Sequence, residues 1–87
     1  ETVIDFYNIK KDLIQSASRK REIVQARQVT MYFIKKYTEL SLSQIGIQVG
    51  NRNHATVLHA CNTIKNLTEV DKGFRSDIQE IERLLQS

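Results

Sequence analysis

From about Lys20 to Thr38, the positions Ile23, Ala26, Thr30, Phe33, Ile34 and Tyr37 fall on one stripe at 3.6 residues per turn. That spacing predicts a long amphipathic helix, with Arg27, Gln28, Met31 and Lys35 on the side turned from its core. Upstream, Thr2-Val-Ile-Asp5 has the form of a capping box, and Val3, Phe6 and Tyr7 follow at helical spacing, which predicts a short first helix. Ile9, Leu13 and Ile14 add an apolar turn, and Ser16 to Arg21 reads as a polar, basic loop. Downstream, Ser41-Leu-Ser-Gln44 is a second capping box; Leu42, Ile45 and Val49 predict a helix of about two and a half turns, ended by Gly50. After a join of about three or four residues, Val57, Ala60, Cys61, Ile64 and Leu67 form the inner stripe of a helix over 53–67, with Asn53 as its cap. Asp71 is placed to cap a last helix whose inner side is Phe74, Ile78, Ile81 and Leu85, with Gly73 a weak point in its first turn.

The pattern predicts an all-α fold, a small helical bundle containing a helix-turn-helix. Two short helices joined by a tight turn with glycine, the second bearing small and polar residues outside, describe that motif. The same pair also occurs as a plain hairpin in all-α domains. Charge favours the first reading. The net charge is only +3, yet residues 6–65 hold ten Lys or Arg against three acids, while both flanks are net negative. The positive charge is therefore a patch suited to nucleic acid.

Eighty-seven residues allow one domain, 1–87, and make a multi-step enzyme improbable; opening at Glu1 without methionine, the chain reads as a piece excised from a longer protein. Cys61 is the one cysteine, no signal-peptide pattern opens the chain, and no apolar run approaches the roughly 20 residues needed for a membrane span. These features point to a reducing cytoplasm. His54 and His59 are five apart, which is not a same-face metal pair, so no metal site is expected. No phosphate-cradling glycine loop or catalytic triad is present.

At 100° per residue, Ala55, His59 and Asn62 lie opposite Val57, Cys61 and Ile64, while Asn53, His54 and Thr56 occupy the first turn. A recognition helix enters the major groove through its N-terminal residues, which must be short enough to let the backbone approach. Asn can pair with adenine, His can donate to guanine acceptors or phosphate, and Ala55 or the Thr56 methyl can touch the thymine methyl. Arg52, just before the helix, suits a phosphate. Each residue also has a plainer role: Asn53 as an N-cap, His59 as a solvated helix histidine, Cys61 as a small core residue. In Ser18-Arg19-Lys20-Arg21, the densest positive run, Arg19 is the candidate for a minor-groove arm.

Gly50-Asn-Arg-Asn-His-Ala-Thr-Val-Leu-His-Ala60 closely resembles the signature of the DNA-binding C-terminal domain (domain IV) of the bacterial replication initiator DnaA family, usually GGRDHTTVLHA; eight of the eleven residues match. The resemblance extends through Phe6-Tyr-Asn-Ile, Asp12-Leu13, the basic loop, Ala26-Arg-Gln28 and Ser41-Leu-Ser-Gln-Ile-Gly46. It implies a Trp-repressor-like helix-turn-helix that binds double-stranded DNA at DnaA boxes of the replication origin and contributes to initiation and regulation of chromosome replication. It implies Arg19 in the minor groove, Asn53, His54, Ala55 and Thr56 at bases, and Arg27, Gln28, Lys35 and His59 at phosphates. It further implies a monomeric, non-enzymatic domain of the bacterial nucleoid, with no cofactor of its own, the family's ATP being bound by another domain, and with regulatory proteins as further partners.

Three positions depart from the signature. Asn51 replaces a glycine, Asn53 an aspartate and Ala55 a threonine; Asn62-Thr63 stands where relatives often carry a basic pair. Two other readings compete: the helix-turn-helix of a transcription regulator, and a helical interaction module that docks a regulator through Met31 and Tyr32.

Overall fold

The computed structural model describes residues 20–86, and the first helix and the Ser18-Arg19 part of the basic run lie outside the described residues. Among the described residues every regular element is an α-helix: α1 (Arg21–Tyr37), α2 (Leu42–Gln48), α3 (His54–Val70) and α4 (Lys72–Gln86). No described helix is long and apolar enough to cross a membrane.

The helix ends follow local chemistry. Ser41 Oγ accepts from Gln44 N at 3.1 Å while Gln44 Oε1 accepts from Ser41 N at 2.8 Å, so the capping box at the start of α2 is complete. Asn53 Oδ1 accepts from Thr56 N at 2.9 Å and Asp71 Oδ1 from Phe74 N at 3.0 Å, capping α3 and α4 as predicted. At the end of α1, Thr38 turns its hydroxyl back onto the Ile34 carbonyl at 2.6 Å, and Lys35 and Lys36 sit in the last turn, where the helix dipole favours cations.

Two buried clusters share α1 and α3. Val29, Phe33, Ile64, Phe74, Ile78 and Ile81 join α1 and α3 to α4; Ala26, Met31, Ile45, Val49, Val57 and Ala60 join them to α2. Because α1 packs on both sides, its buried arc is wider than one stripe. Met31, expected on the solvent side, is 1% exposed, and Arg27 is 8% exposed. Ile34 is only half-buried and Tyr37 is 45% exposed. Tyr37 instead stacks on Phe33 and donates its hydroxyl to Glu82, which also receives Lys36, so the exposed end of α1 is tied to α4. Burial works against the Glu82 charge, but the hydrogen bonds from Lys36 and Tyr37 hold its carboxyl below the usual range.

Two boundaries and one buried position differ from the expectation. The join between α2 and α3 spans five residues, 49–53, and α3 runs one turn further, to Val70. Leu85, assigned to the inner side of α4, is 40% exposed. The burial of Met31 also removes half of the docking surface imagined on Met31 and Tyr32.

Candidate nucleic-acid interface

The turn between α2 and α3 is held by backbone rather than side chains. The Gly46 carbonyl accepts from Arg52 N at 2.8 Å, so the chain after α2 folds back across the helix it has just left. This close approach is why residue 46 lacks a side chain: a Cβ there would lie 2.0 Å from the Arg52 carbonyl oxygen. Gly50 and Asn51 make the reversal with φ of 85° and 61°. Asparagine enters this left-handed region more readily than other non-glycine residues, so Asn51 does the work of the glycine it replaces. Arg52 Nε then donates to the Val49 carbonyl at 3.1 Å, which fastens the guanidinium stem to the end of α2.

The result is an α3 whose first turn projects freely. Asn53, His54, Ala55 and Thr56 are all exposed, as are His59, Asn62, Lys65 and Asn66 further along the same outer side. Val57, Ala60 and Ile64 face inward, as the helical spacing requires. The predicted base-reading positions are thus presented together at one helix end.

Beside this end, α1 and α3 enclose a shallow depression of about 110 Å³, lined by Val24, Arg27, Gln28, Met31, Arg52, Thr56, His59 and Ala60. It gathers five of the predicted residues: Arg27, Gln28, Arg52, Thr56 and His59. Arg27 carries most of its side chain below the surface there; burial, and then the neighbouring Arg52 charge, hold its guanidinium below its ordinary pKa. A fully charged pair of this kind is relieved by an anion placed between its members. No acid lines the depression. Lys35 lies outside it, exposed on the same edge of α1, close enough to Cys61 to oppose the upward push that burial gives the thiol. Arg19 lies outside the described residues. Sequence reasoning did not find the part played by Gly46, whose only signal is its place at the end of the Ser41-Leu-Ser-Gln-Ile-Gly46 resemblance, or the burial of Arg27.

Charge is segregated. Along residues 20–68 the acids are Glu22 and Glu39, whereas Glu69, Asp71, Asp77, Glu80 and Glu82 cluster at the end of α3 and on α4. A polyanion approaching α3 end-on through its N-terminus therefore meets the positive pole of the domain.

A family model described as the bacterial DnaA protein helix-turn-helix matches residues 1–64. The chain is 55% identical over 84 residues to the chromosomal replication initiator protein DnaA of Bacteroides fragilis (strain YCH46) and 51% identical over 86 residues to that of Bacteroides thetaiotaomicron. It is 39% identical over 84 residues to the protein of the same name from Wolbachia pipientis wMel. These alignments cover 97%, 99% and 97% of the chain, which spans 18% of the length of each relative.

Proposed function

Since the chain belongs to the bacterial DnaA helix-turn-helix family, we propose that it binds double-stranded DNA sequence-specifically at short boxes of a bacterial replication origin and so helps to initiate and regulate chromosome replication. The observation that carries this reading is the pairing of a free-standing, acid-free first turn of α3 with the Arg27–Arg52 depression beside it. Exposed short side chains suit a major groove, and two adjacent cations suit the phosphates along its edge.

In this reading Asn53, His54, Ala55 and Thr56 face base edges. Arg27, Gln28, Arg52 and His59 hold phosphate at the depression, and Lys35 holds another phosphate along α1. Arg19, one residue before Lys20, reaches the adjacent minor groove. In this reading the domain binds DNA and does not hydrolyse a nucleotide; the chain spans 18% of the length of each relative.

Titrating the chain with a labelled origin-box duplex and with the same duplex shuffled tests the proposal. Binding about a thousandfold tighter to the box is expected, the low end of the ordinary span of specific over nonspecific affinity. Equal affinity for the two would leave a nonspecific polyanion binder, and no binding to either would leave the interaction-module reading.

The arm makes a separate prediction. A narrow A·T-rich minor groove concentrates negative potential, so replacing A·T by G·C pairs beside the major-groove half of the box should weaken the unmodified chain. Arg19→Ala should lower affinity for the A·T-rich duplex and then respond little to the replacement. Equal responses of the two proteins would remove Arg19 from the groove.

A further inference from the structure

We infer that Asn53 reads a hydrogen-bond acceptor on its base pair, the guanine O6/N7 edge or the thymine O4, and so selects a different base from the one an aspartate would select at the same place. The inference rests on the proposed DNA-binding reading and deepens it.

The argument is one of hydrogen-bond accounting. Asn53 sits at the N-cap of α3 with extended backbone, φ −79° and ψ 165°, and is exposed. Its Oδ1 accepts from the Thr56 backbone N–H at 2.9 Å. The partner there is a donor, so only the oxygen of the amide can face it; the orientation of the group is fixed by chemistry. What remains at the tip is the Nδ2 group with its two donors. An aspartate in the same cap would also spend one oxygen on Thr56, but would be left with a second anionic oxygen, an acceptor without a donor.

The cap therefore separates two residues of nearly equal shape into opposite readers. A remaining carboxylate oxygen matches an amino donor, the N4 of cytosine rather than the adenine N6 that stands beside the N7 acceptor; a remaining amino group matches guanine, which offers two acceptors and no donor in the major groove, or the single O4 of thymine, whereas the bidentate pair with adenine needs the oxygen that Thr56 already holds. In the same turn His54 can also donate to guanine, but it is unchanged between Asn53 and an aspartate cap and so does not supply this distinction. Ala55 offers only a methyl, and the hydroxyl of Thr56 donates or accepts.

The experiment is a competition titration of the unmodified chain, Asn53→Asp and Asn53→Ser against an origin-box duplex in which each base pair is changed in turn to the other three. Asn, Asp and Ser cap helices about equally well, and matching melting temperatures confirm that only readout has changed. At one box position the unmodified chain is expected to prefer guanine or thymine over cytosine by about tenfold, the size of a good base contact. Asn53→Asp should reverse that preference on the same strand, and Asn53→Ser should flatten it to within about twofold. Guanine and thymine are distinguished by the same series. If the unmodified chain and Asn53→Asp prefer the same base at every position, the inference is overturned and Asn53 is a cap alone. If none of the three proteins prefers any box duplex over a shuffled one, the DNA-binding reading falls, and the inference falls with it.

Discussion

Raising monovalent salt from about 50 to 200 mM should weaken binding of the chain to duplex DNA about a thousandfold. In the proposed reading Arg19, Arg27, Lys35, Arg52 and their basic neighbours neutralise roughly six phosphates, and each neutralised phosphate releases condensed counterion, giving a log-log slope of about −5. The net charge of +3 alone would suggest a weaker response, but net charge is the wrong measure. Among the described residues five of the seven acids lie at the end of α3 and on α4, about 20 Å along α3 from its N-terminus at 1.5 Å per residue, so a duplex lying across that N-terminus is separated from them by more than a Debye length of about 10 Å at 0.1 M salt. Lys35→Ala should make the slope shallower by about one and weaken box and shuffled duplexes alike, because an exposed lysine on a phosphate carries no sequence information. Fluorescence anisotropy over a salt series measures both effects. A slope near zero would sink the DNA-binding reading, and a loss confined to the box duplex would show that Lys35 reads a base.

The largest effect of a single methyl is expected at Gly46. In Gly46→Ala the new Cβ would sit 2.0 Å from the Arg52 carbonyl oxygen and 3.4 Å from Val57 Cγ2, and the nearer contact is with backbone, which cannot swing aside as a side chain can. To relieve it the 49–53 turn must move by more than an ångström, breaking the hydrogen bond from Arg52 N to the Gly46 carbonyl. Overpacking costs about 1–3 kcal/mol and the lost hydrogen bond about 1 more, so a loss of roughly 3 kcal/mol is expected, or a fall of about 15 °C in Tm for a domain this size. Box affinity should fall further than stability, since that turn aims the first turn of α3. Gly73→Ala is the control. A Cβ there meets only Asp71 Oδ1, at an ordinary 3.4 Å, and alanine is the better helix former, so its Tm should hold or rise by a few degrees. Thermal melts of both variants decide the point: equal Tm values would mean that the close approach at Gly46 is not what holds the helix-turn-helix together.

What the sequence determined by itself is whatever closes within one turn of chain. The capping box of Ser41 and Gln44 and the Asn53 and Asp71 caps depend on residues no more than three apart, and each stands in the structure where the sequence placed it. The inner stripe of α3 was legible for a related reason: both buried clusters approach the same side of that helix, so periodicity reports it correctly. The signature at 50–60 named the family because it is long and nearly unbroken.

Tertiary structure alone decided the rest. A 3.6-residue period reveals one buried stripe when a helix has neighbours on one side, but α1 has them on two, so Met31 and Arg27 went inside from positions the wheel gave to solvent. Tyr37 and Leu85, each in the last turn of its helix, came out to 45% and 40% exposure. The depression that joins Arg27 and Gln28 to Arg52, Thr56 and His59 is likewise a property of the crossing of α1 and α3. Those residues lie up to 32 positions apart, and only the packing of Ala26 and Met31 against Ala60 and Val57 brings them to one edge.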